Sequence, residues 1–135
     1  TPTRSSAASD VYKRQVIVPN LVVTTGKNFI ASRIKDASAT AMTHMAIGTG
    51  STAAAAGNTA LGSEAGRVAL TSTTVTDNAV AYVATFAAGT GTGAITEAGL
   101  LNASSSGTLL CRTVFSVINK ASADTLGITW TVTVS

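Results

Sequence analysis

The sequence predicts a mainly β domain, an antiparallel β-sandwich or a barrel-like variant of it, with one short helix near residues 27–36. Short segments rich in Val, Ile and Thr recur between turn residues, as in antiparallel sheet proteins. The segment at 125–134 alternates large apolar residues with Gly and Thr, which is the period of a strand with one buried face. Charged residues make up only 11% of the 135 residues. We therefore expect a surface of small, uncharged side chains that neighbours cover in an assembly.

The first elements are predicted from breaks in the apolar pattern. The apolar segment 16–23 contains Pro19, which favours an edge strand or two short extended pieces. Thr24 or Thr25 can cap a helix over 27–36. Three apolar side chains fall on one side of this helix: Phe29, Ile30 and Ile34.

Every later element is predicted to be a strand. The strands are expected at 42–47, 67–75, 79–86, 95–102, 108–118 and 125–134. Thr76, Asp77 and Asn78 form a turn signal that makes the second and third of these a hairpin. The glycines of "GTGTG" at 89–93 predict a flexible hairpin loop, because glycine permits positive φ. The predicted core residues are Trp130, Phe86, Phe115, Tyr82, Leu109 and Leu126.

Domain organisation follows from composition. Residues 1–15 hold a third of the basic residues and few large apolar ones. Their composition resembles translated adapter sequence, so they are either non-native or an extended N-terminal arm. Residues 16–135 form one predicted domain of ordinary size. Basic and acidic side chains nearly balance within it, which gives no electrostatic indication of nucleic acid binding or of a polybasic membrane patch.

The rare reactive residues exclude several kinds of site. The chain has one cysteine, Cys111, and one histidine, His44. It therefore cannot form an intrachain disulfide or a cysteine-based zinc site, and we expect no metal and no cofactor. Cys111 is expected to be a buried, inert thiol, and His44 a surface or interface residue. Apolar segments stay below the roughly 18 residues of a membrane span, so no membrane partner is expected.

The segment "IGTGSTAAAAGN" has the G-x-G-x-x-A outline of a dinucleotide-binding turn. That turn binds pyrophosphate only where it opens a helix inside a βαβ unit. Here Gly57 and Asn58 stop any helix after one turn, and a hairpin follows. We therefore interpret the segment as a surface loop of small residues and expect no small-molecule substrate there. The candidate interface residues in this loop are Gly48, Thr49, Gly50, Ser51, Thr52 and Gly57.

Four charged residues are prominent because charge is rare in this chain: Glu64, Arg67, Glu97 and Arg112. The two glutamates could be a pair of catalytic acids. The favoured interpretation is structural, with Glu97 paired to Arg112 on a neighbouring strand and Glu64 paired to Arg67 at a loop exit. We find no catalytic residues at convincing spacing and predict that the protein is not an enzyme.

Two motifs carry a resemblance to a known family. The first is T-x-L-x-x-E-x-x-R, formed by Thr59, Leu61, Glu64 and Arg67. The second is I-x-E-x-G-L, formed by Ile95, Glu97, Gly99 and Leu100. With the preceding helix and the "IGTG" loop, they make residues 21–134 resemble small structural proteins of tailed bacteriophages. The chain is also similar to the N-terminal region of phage tail-collar fibre proteins.

The resemblance implies a structural component of a virion, assembled in the host cytoplasm. Such a component would build the tail, collar or fibre attachment or decorate the capsid. Its partners would be other virion proteins and copies of itself, in trimeric or hexameric symmetry. The alternative is a carbohydrate-binding module of a fibre tip, which would need exposed aromatic side chains to stack on sugar rings.

Overall fold

The computed structural model describes residues 2–7, 14–35 and 39–135, with only the backbone for 2–7 and 14–17. It contains one helix, α1 (Thr24–Lys35), and ten strands within these ranges. The strands are β1 (Pro2–Ala7), β2 (Arg14–Pro19), β3 (Leu21–Val22), β4 (His44–Gly48), β5 (Glu64–Ala69), β6 (Ser72–Thr76), β7 (Ala79–Phe86), β8 (Gly93–Leu101), β9 (Leu109–Lys120) and β10 (Leu126–Thr133).

The strands form two antiparallel five-stranded sheets, which confirms the predicted mainly β, sandwich-like fold. Sheet A has the order β2-β1-β10-β7-β6, and sheet B has the order β3-β9-β8-β4-β5. The chain passes repeatedly from one sheet to the other, so most sequence neighbours are not sheet neighbours. The hairpins β6–β7 and β8–β9, and the pairs β1–β2 and β4–β5, are exceptions. The β6–β7 hairpin turns at Asp77, which has a φ of 52°.

The N-terminal segments are extended. β1 pairs with both β2 and β10, so the described backbone of residues 2–7 and 14–19 belongs to sheet A. The predicted break at Pro19 is confirmed, because β2 ends there and β3 continues in the other sheet. Residue 1 and residues 8–13 of the N-terminal segment lie outside the described ranges.

The helix differs from its prediction in three ways. It begins at Thr24, three residues early, and its predicted last residue lies outside the described residues. Neither Thr24 nor Thr25 occupies the N-cap position, because both are helical residues, and the Thr25 hydroxyl donates instead to the Leu109 carbonyl at 2.9 Å. Ile34 is 81% exposed rather than packed beside Phe29. The helix is held to β9 through its first turn, so its last turn lies beyond the core.

Two strand predictions also needed correction. The single strand predicted at 67–75 is two strands, β5 in sheet B and β6 in sheet A, separated by a corner at Leu70 and Thr71. The glycine-rich loop at 89–93 is not a hairpin loop, because it joins β7 in sheet A to β8 in sheet B. Its three glycines do have positive φ, from +66° to +134°.

The core lies between the two sheets. Trp130 and Phe86 from sheet A are fully buried against Ile47, Ile95 and Leu100 from sheet B. Tyr82 and Leu126 are buried in the same core and Phe115 is half-buried against it, whereas Leu109 is buried in a separate cluster. The alternating pattern of β10 is confirmed up to Val132, whereas Val134 lies beyond the strand and is exposed.

A second hydrophobic cluster identifies the face of sheet B that bears the candidate site. It consists of Val23, Ala46, Leu101 and Leu109, with Leu61 packed against them. Ala46 lies between Met45 and Ile47 of the main core, so it faces the opposite side of the sheet. The connection at 49–63 therefore covers the outer face of sheet B.

Candidate functional site

The candidate site is an ion pair beneath the connection 49–63. Glu97 on β8 and Arg112 on β9 are diagonal neighbours, because Glu97 pairs in register with Val114, and Arg112 with Gly99. The Arg112 Nη2 atom lies 2.9 Å from Glu97 Oε1, and Nε donates to the same oxygen at 3.0 Å. Both side chains are almost completely buried. The structure thus brings together the pair that the sequence suggested.

The Glu97 carboxylate also binds the backbone of the covering connection. Its Oε2 atom accepts hydrogen bonds from the N–H groups of Gly50 at 2.8 Å and Ser63 at 2.7 Å. Its Oε1 atom accepts a third from the N–H of Gly62 at 2.8 Å. Oε2 thus accepts from two N–H groups, and Oε1 accepts from Gly62 and Arg112. A carboxylate has roughly four acceptor positions, so this one is fully used. One side chain therefore ties together the two ends of the connection.

These bonds set the ionisation of the site. Burial alone would raise the pKa of Glu97, because a charged group loses its hydration. The hydrogen bonds from Gly62, Ser63, Arg112 and Gly50 outweigh burial and hold the pKa below its ordinary value. Glu97 is therefore an anion at neutral pH.

Arg112 extends the same network to the outer part of the connection. Its Nη2 atom donates to the carbonyl of Thr52, and its Nη1 atom to Oδ1 of Asn58, each at 3.0 Å. Asn58 Oδ1 also accepts from the N–H of Ala55, which closes a local turn. Thr96 adds a hydrogen bond from its hydroxyl to the Gly50 carbonyl. The planar guanidinium thus holds the middle of the connection, while Glu97 holds its ends.

Gly48 at the end of β4 and Gly50 in the connection must be glycine because of contacts within the chain. A Cβ at Gly50 would collide with the Glu97 carboxylate, and one at Gly48 would lie 2.6 Å from Glu97 Oε2. Gly57 has no atom within 4 Å of such a Cβ. Gly48 and Gly50, two of the candidate interface residues, are therefore in close contact with their own chain. The exposed members of the candidate loop are Thr49, Ser51, Thr52 and Gly57.

The structure explains why the segment 47–58 resembles a phosphate-binding turn. Backbone N–H groups beside the glycines do converge on an anion, but that anion is the chain's own Glu97 carboxylate. The described residues 51–135 contain no helix after Gly50. The position that a phosphate would need is occupied from within.

The second glutamate–arginine pair holds a different loop. Arg67 bonds to Glu64 through Nε at 2.9 Å and Nη2 at 2.7 Å, within β5 itself. Its Nη1 atom reaches the carbonyls of Ala103 and Ser106 in the β8–β9 loop, each at 2.9 Å. The two glutamates belong to separate networks and do not form a shared acidic pair.

Two polar residues that sequence reasoning missed also hold loops in place. Asn58 was interpreted only as a helix stop, yet it joins Arg112 to the connection. Lys120 is buried at the end of β9, where Nζ donates to the carbonyls of Ala87 at 2.9 Å and Asp124 at 2.7 Å. A lysine ending a strand gives no sequence signal of burial, because lysine is normally exposed.

The two other residues with reactive side chains are Cys111 and His44. Cys111 is fully buried, and burial raises the pKa of its thiol. His44 is half-buried and shares a 2.8 Å hydrogen bond with the Thr43 hydroxyl. Among the described residues, no three His, Cys, Asp or Glu side chains are grouped to hold a metal ion. The described part of the chain also has no helix of the length and apolarity needed to cross a membrane.

Two grooves lie beside Arg112. One, of about 480 Å³, runs between the start of β3 and Ala53, and the other, of about 410 Å³, lies below Thr59 and Leu61. Arg112 is the one charged residue among the described residues that line either groove, and its guanidinium already binds Glu97, Thr52 and Asn58 of its own chain. Comparison of the chain with protein-family models, with curated proteins and with solved structures gave no match.

Proposed function

We propose that this protein is a structural component of a tailed-phage virion, acting in the tail, collar or fibre attachment or in capsid decoration. It works by protein–protein assembly, without catalysis or a cofactor. The resemblance to small phage structural proteins supports this proposal. The two motifs that carry the resemblance meet in one structural unit, since Leu61 of the first packs against Gly99 of the second.

The observation that carries the proposal is that the Glu97 carboxylate binds only groups of its own chain. A general acid or base must exchange a proton with a substrate and needs a free lone pair or an accessible proton. Both Glu97 oxygens are instead occupied by four donor groups of the same chain, and the side chain is completely buried. Among the described carboxylates, Glu97 has the most perturbed pKa, and its hydrogen bonds hold the connection 49–63 in place.

The loop that it shapes is suited to contact another protein. Connections longer than about 12 residues without secondary structure are uncommon in compact domains and are usually either functional or linkers. The segment 51–60 contains no charged side chain, and most of its residues are exposed. Small side chains allow close approach of another backbone, and the fixed loop loses little conformational freedom on binding. We propose this segment as the contact with other virion proteins.

The alternative, a carbohydrate-binding module, finds less support. Sugar rings are commonly bound by stacking on exposed aromatic faces. The five aromatic side chains with described burial are all buried or half-buried: Phe29, Tyr82, Phe86, Phe115 and Trp130. Binding of the purified protein to bacterial surface glycans would favour this alternative.

The proposal is tested by quantitative mass spectrometry of gradient-purified particles from a phage that carries the coding sequence. A fixed copy number per particle, retained through a second gradient at high salt, is the expected result. The Glu97→Gln variant should be incorporated less than a matched Glu64→Gln variant, because only the first change releases the connection 49–63. Purified, infectious particles that lack the chain would refute the proposal.

A further inference from the structure

The open edges of the two sheets differ in their ability to accept another strand. An edge strand presents unpaired N–H and C=O groups, which charged residues, proline or short length normally protect. β2 contains Arg14 and Pro19, β3 is two residues long, and β5 contains Glu64 and Arg67. β6 has the sequence STTVT, without charge or proline. It is therefore the least protected edge in the described part of the chain.

β6 is also exposed along its whole length. All five of its residues are exposed, and Val75 is 69% exposed, which is unusual for an apolar strand residue. On the other side, β6 pairs with β7 in unbroken register from Ser72↔Val83 to Thr76↔Ala79. In an antiparallel ladder, alternate residues of such an edge direct their N–H and C=O groups away from the sheet. These groups remain available to a further strand.

We propose that β6 pairs with β6 of a second copy of this chain, antiparallel about a two-fold axis at Thr74. This joins two copies of sheet A into one continuous sheet. The inference rests on the proposed assembly role, and it names the partner as the chain itself.

The register about Thr74 is self-complementary. Ser72 then faces Thr76 of the second copy, and Thr73 faces Val75, which covers part of the exposed valine. The nearest charge, Asp77 beyond the end of β6, faces Thr71, so no like charges meet. An isologous contact of this kind closes on itself and gives even-numbered assemblies. It fits a hexamer made of dimers and excludes a simple trimer.

Sedimentation equilibrium of the full chain tests the pairing, at concentrations up to about 1 mM so that a weak contact is also detected. Thr74 lies opposite its own copy, so Thr74→Lys and Thr74→Glu each place like charges face to face. Each variant alone should be monomeric, and an equimolar mixture should restore the dimer. Thr85→Lys is the matched control, since Thr85 is an exposed residue of β7 on the same sheet face, away from the β6 edge. Circular dichroism verifies that every variant is folded.

The expected pattern is a dimeric wild type, a dimeric Thr85→Lys control, monomeric single-charge variants and a dimeric mixture. A monomeric or trimeric wild type overturns the pairing, as does a mixture that stays monomeric. Loss of the dimer in Thr85→Lys would also overturn it, because the contact would then use the sheet face. A monomer that is nevertheless found in purified particles refutes only the β6 contact. A dimer that is absent from particles refutes only the virion role.

Discussion

Replacing Glu97 by glutamine removes one charge from the interior and almost no volume. The amide has one acceptor oxygen and one NH₂ group. If NH₂ takes the place of Oε2, the N–H groups of Gly50 and Ser63 lose their acceptor. If it takes the place of Oε1, Gly62 and Arg112 lose theirs. Neither orientation satisfies the site.

The expected cost follows from these losses. A buried donor without an acceptor costs about 1–3 kcal/mol, and two are created in either orientation. Arg112 is also left as a buried charge without its counter-ion, and breaking such a pair costs about 3–5 kcal/mol. These terms overlap, so we expect the free energy of unfolding to fall by about 4 kcal/mol. Domains of this kind have roughly 5–15 kcal/mol in total.

Urea unfolding at fixed protein concentration measures this loss, with fluorescence of the fully buried Trp130 as the probe. With a denaturant slope of about 2 kcal/mol per molar, the midpoint should fall by about 2 M. Glu64→Gln is the matched control, because Glu64 is partly exposed and its partner keeps its bonds to Ala103 and Ser106. That change should cost less than about 1 kcal/mol. Equal midpoints for Glu97→Gln and wild type would refute the reasoning.

Three further predictions concern the same loop and the core. Gly50→Ala should destabilise the fold by about 1–3 kcal/mol because its Cβ meets the Glu97 carboxylate. Gly57→Ala should stay within about 0.5 kcal/mol, and equal thermal stability of the two variants would contradict this. The folded pKa of Glu97 is depressed, so its stabilisation is present above the unfolded pKa of about 4.3 and is lost as pH falls through the lower folded value. The stability difference between wild type and Glu97→Gln should therefore shrink below about pH 4.3, and a constant difference from pH 7 to pH 3 would oppose this. Burial raises the pKa of Cys111, so the folded protein should react with a disulfide reagent only as it unfolds, whereas prompt native-state reaction would show an accessible thiolate.

The parts of the fold that sequence predicted well are those with strong local signals. The alternation at 125–134 predicted a strand, which is observed as β10 (Leu126–Thr133). The turn signal at 76–78 predicted a hairpin, which is observed between β6 and β7. Each signal depends only on neighbours in sequence. β7 was predicted at its observed bounds. The helix was placed late, because Thr24, Thr25 and Gly26 are weak helix formers. Their first turn is stabilised by contacts with β9, which lies far away in sequence.

Only part of the candidate site could be predicted from the sequence. Scarcity of charge identified Glu97 and Arg112 and suggested that they pair. The three backbone N–H groups that donate to Glu97, and the bond between Asn58 and Arg112, could not be predicted. These contacts depend on how the connection 49–63 folds back over sheet B. The corner between β5 and β6 was missed because a strand that changes sheets keeps its β-branched composition.

Electron microscopy of intact particles at subnanometre resolution, with the chain carrying a small density tag, tests the central claim most directly. We expect tag density at a fixed, symmetric position on the tail, collar or capsid, with the connection 49–63 against a neighbouring protein. Tagged particles that assemble normally and show no such density, with the chain left in the soluble fraction, would contradict it.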